Sequence, residues 1–149
     1  MKITGIKTYW LKVPYDKPFE PTWYPGKRET HQHILLVRVM TDEGIEGYGS
    51  GEFPFGLTPT YMTFIQDMIA PWLIGRDPLM IEKLATRLKG DGRLAPRPWI
   101  VENALWDILG KKAGLPAYKV MGGYRDHIPA YAAMCELRSD EERQEDALR

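Results

Sequence analysis

The stretch ALWDILGKKAGLPAYKVMGG, residues 104–123, constrains this chain more than any other. Ala104, Leu105, Ile108 and Leu109 recur at helical spacing, and Ile100 and Val101 extend the same apolar side toward the N-terminus. The pattern predicts a helix over roughly 97–113, with Trp106 widening its apolar arc. Only Asn103, Asp107 and Lys111, at four-residue steps, form a clear polar line. Gly114 can take the left-handed conformation that caps a helix, and Pro116 prevents continuation. A helix this apolar needs a layer to bury it.

That layer is legible upstream. Residues 2–13 alternate as a strand does, with Ile3, Gly5, Lys7, Tyr9 and Leu11 on one side and Thr4, Ile6, Thr8, Trp10 and Lys12 on the other. PYDKPFEPTWYPGKRE then carries Pro14, Pro18, Pro21, Pro25 and Gly26 and reads as a long loop. THQHILLVRVM is β-prone, and a TDEG turn joins it to IEGYGSGEF, so residues 30–53 read as a hairpin.

Helical punctuation follows FPFGL. Thr58 reads as an N-cap with Pro59 at the first helical position, and Tyr61, Ile65, Met68, Ile69 and Trp72 recur behind it. Pro71 lacks the donor that would reach residue 67, so it should kink or divide this helix. Asp77 and Pro78 repeat the start signal for a helix carrying Ile81, Leu84, Ala85 and Leu88, ending at Gly90. Strands first and helices after imply an α+β fold: a three-stranded antiparallel meander followed by a helical bundle.

Charge narrows the function. Twenty Lys plus Arg balance twenty Asp plus Glu, so no net positive field gathers phosphates, and nucleic acid is not expected as a partner. Lys83, Arg87, Lys89, Arg93 and Arg97, interrupted by Asp91, read as a solvated face. No stretch approaches the roughly 20 apolar residues of a membrane span, and MKITGIKTYW has no signal-peptide core. The single cysteine, Cys135, lies in IPAYAAMCEL and reads as a small buried thiol in a cytoplasmic protein.

Each candidate for chemistry has a competing structural reading. GYGSGE fits neither a nucleophile elbow around Ser50, because Tyr48 and Glu52 stand where glycines belong, nor a dinucleotide fingerprint from Gly47. Gly47, Gly49 and Gly51 instead share one strand face, where absent side chains permit close packing. His31 and His33 would share a strand face and could chelate a transition metal, with His127 or Glu52 as third ligand. Glu102 and Asp107 are five residues apart and point to different helical faces, so Asp107 pairs better with Lys111 at i,i+4. Trp23, Tyr24, Arg28, Phe53 and Phe55 sit in long connections, where aromatics either bury a ligand or pack over their own sheet.

Taken together, the meander, the long loop, the TDEGIEGYGSGE hairpin and the Ala104–Gly123 series resemble the enolase superfamily, in its mandelate racemase or muconate lactonizing form. The resemblance runs from KITGIKTY to IPAYAAM. It implies a capping domain over a modified TIM barrel, in which Mg²⁺ and a Lys or His base abstract the proton alpha to a carboxylate. The base needs the metal because an alpha proton is too weakly acidic unless the developing charge is stabilised.

By the same resemblance, residues 1–124 are the capping domain, and 125–149 are the first strand, about Ile128 to Leu137, and the start of the first helix of a truncated barrel. The family's catalytic and metal-binding residues come from later barrel strands and have no matching positions before Arg149. The implied enzyme is a racemase, cycloisomerase or acid-sugar dehydratase, a homo-oligomer acting on a small carboxylate such as an acid sugar. The chain alone is expected to bind no Mg²⁺ and to be inactive. Its two loops would select the substrate, with Trp23, Tyr24 and Arg28 in the first and Phe53 and Phe55 in the second. The alternatives are a metal-dependent enzyme of another class using His31 and His33, or a non-catalytic interaction module.

Overall fold

The computed structural model describes residues 1–53, 56–93, 98–131, 133, 135 and 138–147. They form two compact units: Met1–Lys12 with His33–Tyr124, and Val13–Gln32 with Arg125–Arg149.

A three-stranded antiparallel sheet in the order β1-β2-β3 is followed by helices, which is the enolase N-terminal capping fold. The strands are β1 (Ile3–Phe19), β2 (Glu29–Thr41) and β3 (Glu46–Glu52). β2 and β3 pair from Ile34 opposite Glu52 to Met40 opposite Glu46. Gly44, at φ 75°, makes the turn between them, and the Gly44 N–H donates to the Thr41 carbonyl.

β1 departs from the expected pattern twice. Ile3 and Ile6, expected on opposite faces of the strand, are both buried. β1 also continues to Phe19, through Pro14 and Pro18, where a loop was expected. It is an edge strand, and alternate residues of an edge need no backbone donor, so proline is tolerated there.

The helices are α1 (Leu57–Phe64), α2 (Ala70–Leu73), α3 (Ile81–Asp91), α4 (Trp99–Ala113), α5 (Ala117–Val120) and α6 (Asp140–Ala147). Between α1 and α2, residues Ile65–Ile69 form a π-helical turn in which the Ala70 N–H reaches back to the Ile65 carbonyl. Pro71 falls in the first turn of α2, so the helix is divided ahead of it, as expected, and the wider turn makes the division. Thr58 is not the cap of α1, which is Gly56; its buried hydroxyl donates to the Phe53 carbonyl at 3.5 Å. Asp77 likewise serves a turn before α3, where its carboxylate accepts the Leu79 N–H at 3.0 Å.

α4 ends as the sequence demands. Gly114 is left-handed at φ 65°, and the Leu115 N–H donates to the Gly110 carbonyl at 2.9 Å. The core forms where this helix meets the sheet: Leu35, Val37 and Val39 from β2 and Ile100, Val101, Ala104, Leu105 and Ile108 from α4 are all fully buried. Ile65, Ile69, Leu73 and Leu88 complete it from the other helices.

The glycine face of β3 does what its spacing implies. A β-carbon on Gly47 or Gly49 would overlap the carbonyl oxygens of Ala104 and Ile100, and one on Gly51 would lie 2.7 Å from the Trp99 ring. These positions let the α4 backbone rest directly on the strand.

In the second unit, Ser139 and Glu142 form a reciprocal capping box at the start of α6, the Glu142 N–H donating to Ser139 Oγ and the Ser139 N–H to Glu142 Oε2. Of the barrel strand expected at about Ile128 to Leu137, positions 132, 134, 136 and 137 lie outside the described residues, and the others carry no strand assignment. A barrel strand takes ladder bonds from neighbours on both sides. The backbone bond recorded for this segment is Thr22 N–H to the Cys135 carbonyl at 3.0 Å. Cys135 itself is exposed, not buried as expected. Among the described residues no helix is long and apolar enough to cross a membrane.

Candidate functional site

The first candidate loop folds around one carboxylate. Glu20 accepts the Gly26 N–H at 3.0 Å through Oε1 and the Arg28 Nε–H at 3.2 Å through Oε2. The Gly26 amide, and then the Arg28 guanidinium, hold the Glu20 carboxyl below the ordinary carboxylate range. Gly26 is left-handed at φ 82°, and the Tyr24 N–H to Pro21 and Lys27 N–H to Tyr24 bonds tighten the intervening turns.

This frame displays aromatic surface. Tyr15, Phe19 and Trp23 form a row with ring centroids 5.7 Å and 6.1 Å apart. Trp23 remains 62% exposed and Tyr24 55%. Arg28 spends its Nε–H on Glu20, and its terminal amino groups are the donors with which a guanidinium recognises carboxylates and hydroxyls. Trp23, Tyr24 and Arg28 thus belong to one ordered loop. Sequence reasoning missed Glu20, Tyr15 and Phe19; the available signal was a carboxylate spaced six and eight residues before Gly26 and Arg28.

The second loop divides. Phe53 is half-buried, packs against the core, and has its ring 4.4 Å from that of Tyr61. The Phe53 N–H donates to the His33 carbonyl at 3.1 Å, which continues the β2–β3 ladder one step past Glu52. Phe53 therefore anchors the loop to its own sheet. Phe55 lies outside the described residues. Tyr61 is 4% exposed, and burial pushes its phenol up to about 12.

The two strand histidines have separate partners. His33 Nδ1 accepts the Trp10 indole N–H at 3.0 Å, with the rings 5.5 Å apart, and the Lys12 ammonium stands 4.2 Å from the centroid of the Trp10 ring. Because an indole only donates, Nδ1 of this histidine carries no proton. His31 Nδ1 lies 2.9 Å from the Thr30 hydroxyl, and His127 Nδ1 2.6 Å from Asp126 Oδ1.

On α4, Asp107 and Lys111 form the expected i,i+4 pair at 2.6 Å. Lys112 bridges to Glu43, also at 2.6 Å. Beside them Arg38 and Glu46 form a two-bond pair, with Arg38 Nε 2.9 Å from Glu46 Oε2, and the Tyr48 hydroxyl donates to the same oxygen at 2.7 Å. Among the described residues, no group of three or more His, Cys, Asp or Glu side chains could hold a metal ion. The donors among the described residues do not fit the Mg²⁺ that the superfamily implies.

A three-stranded meander backed by a helix resting on a glycine face defines the enolase N-terminal capping fold. The chain belongs to the mandelate racemase / muconate lactonizing enzyme, N-terminal domain family, whose pattern it matches over residues 12–122. It is 32% identical over 136 residues to the N-succinyl-L-Arg/Lys racemase of Bacillus cereus, covering 87% of this chain and 36% of that protein. It is 31% identical over 154 aligned positions to the D-galactarolactone cycloisomerase of Agrobacterium fabrum, covering 98% of this chain and 39% of that protein. The crystal structure of the Bacillus cereus N-succinyl Arg/Lys racemase superposes with a TM-score of 0.81 at 28% identity, over 99% of this chain and 40% of that one. The chain thus spans less than half the length of these relatives.

Proposed function

We propose that this chain is the substrate-selecting cap of an enolase-superfamily racemase, cycloisomerase or acid-sugar dehydratase, and that its substrate is a small carboxylate of the sugar-acid kind. The observation that carries this reading is the Glu20 clamp, which fixes Arg28 and presents Trp23 and Tyr24 to solvent. A guanidinium beside exposed aromatic faces suits an anionic, hydroxylated ligand whose apolar edges must be shielded from water. Trp23, Tyr24 and Arg28 are the selecting residues. Phe53 holds the base of the second loop. We assign proton abstraction alpha to the carboxylate, and the Mg²⁺ it calls for, to barrel residues outside 1–149.

The test is an assay of the purified 149-residue chain with a panel of acid sugars and Mg²⁺. No turnover is expected. Turnover comparable to that of an intact relative would overturn the assignment of the chemistry to a barrel.

A further inference from the structure

β3 is the last strand of the sheet, so one of its edges has no strand beside it among the described residues. Its register tells which backbone groups that edge exposes. The Phe53 N–H donates to His33, so the bonded pairs with β2 fall on Gly51, Gly49 and Gly47, opposite Leu35, Val37 and Val39. The N–H and C=O groups of Glu46 and Tyr48 therefore point the other way. A bare row of such groups is a template for pairing with another chain.

Two side chains of α4 occupy that row. Asp107 Oδ2 accepts the Tyr48 N–H at 2.8 Å, and Lys111 Nζ donates to the Glu46 carbonyl at 2.7 Å. The same two groups bond to each other at 2.6 Å, and the Lys111 ammonium stands 4.8 Å from the Tyr48 ring. One turn of helix thus offers one acceptor and one donor, which is what a neighbouring strand would offer there. The glycine face explains how a short aspartate reaches: with the α4 backbone lying on Gly47 and Gly49, the next turn of the helix comes round the strand edge.

We propose that Asp107 and Lys111 are an edge lock: they take the hydrogen-bonding positions on β3 that a second copy of this chain would otherwise use, and so prevent antiparallel β3-to-β3 pairing about a two-fold axis. This role is independent of the substrate-selecting loop. It assigns the two conspicuous charges of the Ala104–Gly123 stretch a purpose beyond their mutual ion pair. Identical antiparallel edges are self-complementary, so a second copy is the natural occupant of an unlocked edge.

Residue-resolved amide exchange of the 149-residue chain over a range of protein concentrations tests this. In the unaltered chain the Tyr48 amide is protected at every concentration. In Asp107→Ala, the dilute protein exchanges Tyr48 about tenfold faster or more, as expected when a bond to a charged acceptor is lost. Protection then returns as concentration rises and a second β3 takes the edge. Lys112→Ala, which removes only the Glu43 bridge, leaves Tyr48 exchange unchanged. The proposal is overturned if Tyr48 stays protected in Asp107→Ala, if its lost protection does not return with concentration, or if Lys112→Ala behaves the same way. Val37 and Val39 amides report whether the sheet itself survives; should they open in Asp107→Ala, Asp107→Leu, which fills the space without an acceptor, is read by the same comparison.

Discussion

Gly49 lies against the carbonyl oxygen of Ile100, so near that a β-carbon on the glycine would overlap that oxygen. The obstacle is backbone of a buried helix and cannot swing aside as a side-chain tip would. Gly49→Ala is therefore expected to cost about 3 kcal/mol or more, at the upper end of overpacking effects. Gly90 gives the contrast, because a β-carbon there meets nothing within 4 Å and the residue is helical. Gly90→Ala should stabilise by about 0.5–1 kcal/mol. Urea unfolding of both variants checks the pair; equal stability of Gly49→Ala and the unaltered chain would contradict the packing account.

His33 bears on the rival metal reading. Its Nδ1 is engaged by Trp10, and His33→Ala would leave that indole N–H without its acceptor, at a cost of about 1–2 kcal/mol. Elemental analysis of the purified chain should find no stoichiometric transition metal, before or after the substitution. A bound equivalent that disappears in His33→Ala would favour the metal-dependent alternative.

The Arg38–Glu46 pair should register in acid. The bond to Arg38, and then that from the Tyr48 hydroxyl, lower the Glu46 carboxyl below its ordinary value of 4.5. A depressed carboxyl contributes stability above the unfolded value and loses it as pH falls through the folded one. Glu46→Gln should thus be less stable than the unaltered chain at pH 6, with the difference shrinking below about pH 4.5. Denaturant midpoints across this range measure it; a constant difference would mean the charge is irrelevant.

Tyr61 should register in alkali. Burial raises its phenol from 10.0 to about 12, so the folded state holds its proton longer than the unfolded chain does. That contribution is complete below pH 10 and disappears as pH rises to about 12. Tyr61→Phe should remove part of the stability loss over this interval, as followed by circular dichroism. An unchanged alkaline profile would show that Tyr61 is not the buried phenol.

The fold was largely readable because its strongest signals are steric. Three glycines at period two on β3 announced close packing by another element, and Gly114 with Pro116 announced where α4 stops. The misreadings arose where tertiary context overrides local rules. Pro14 and Pro18 read as loop residues, yet an edge strand accepts them. Ile3 and Ile6 fall on opposite faces by alternation yet are both buried, which periodicity alone does not reveal. Asp107 showed its partner four residues on, but not the Tyr48 amide 59 residues away, which depends on how the helix lies across the sheet. In the candidate loop, Trp23, Tyr24 and Arg28 were visible by type, whereas the carboxylate that organises them was not, because its bonds form only once the Gly26 turn closes.

The central claim, that this chain selects the substrate and does not transform it, is tested most directly by joining residues 1–124 to the barrel of the Bacillus cereus N-succinyl-L-Arg/Lys racemase and comparing kcat/KM for acid sugars and N-succinyl amino acids. The account predicts that preference moves toward acid sugars relative to the parent racemase, and that Arg28→Ala in the chimera raises KM for them at least tenfold with little change in kcat. A chimera that keeps the parent preference and ignores Arg28→Ala would contradict it.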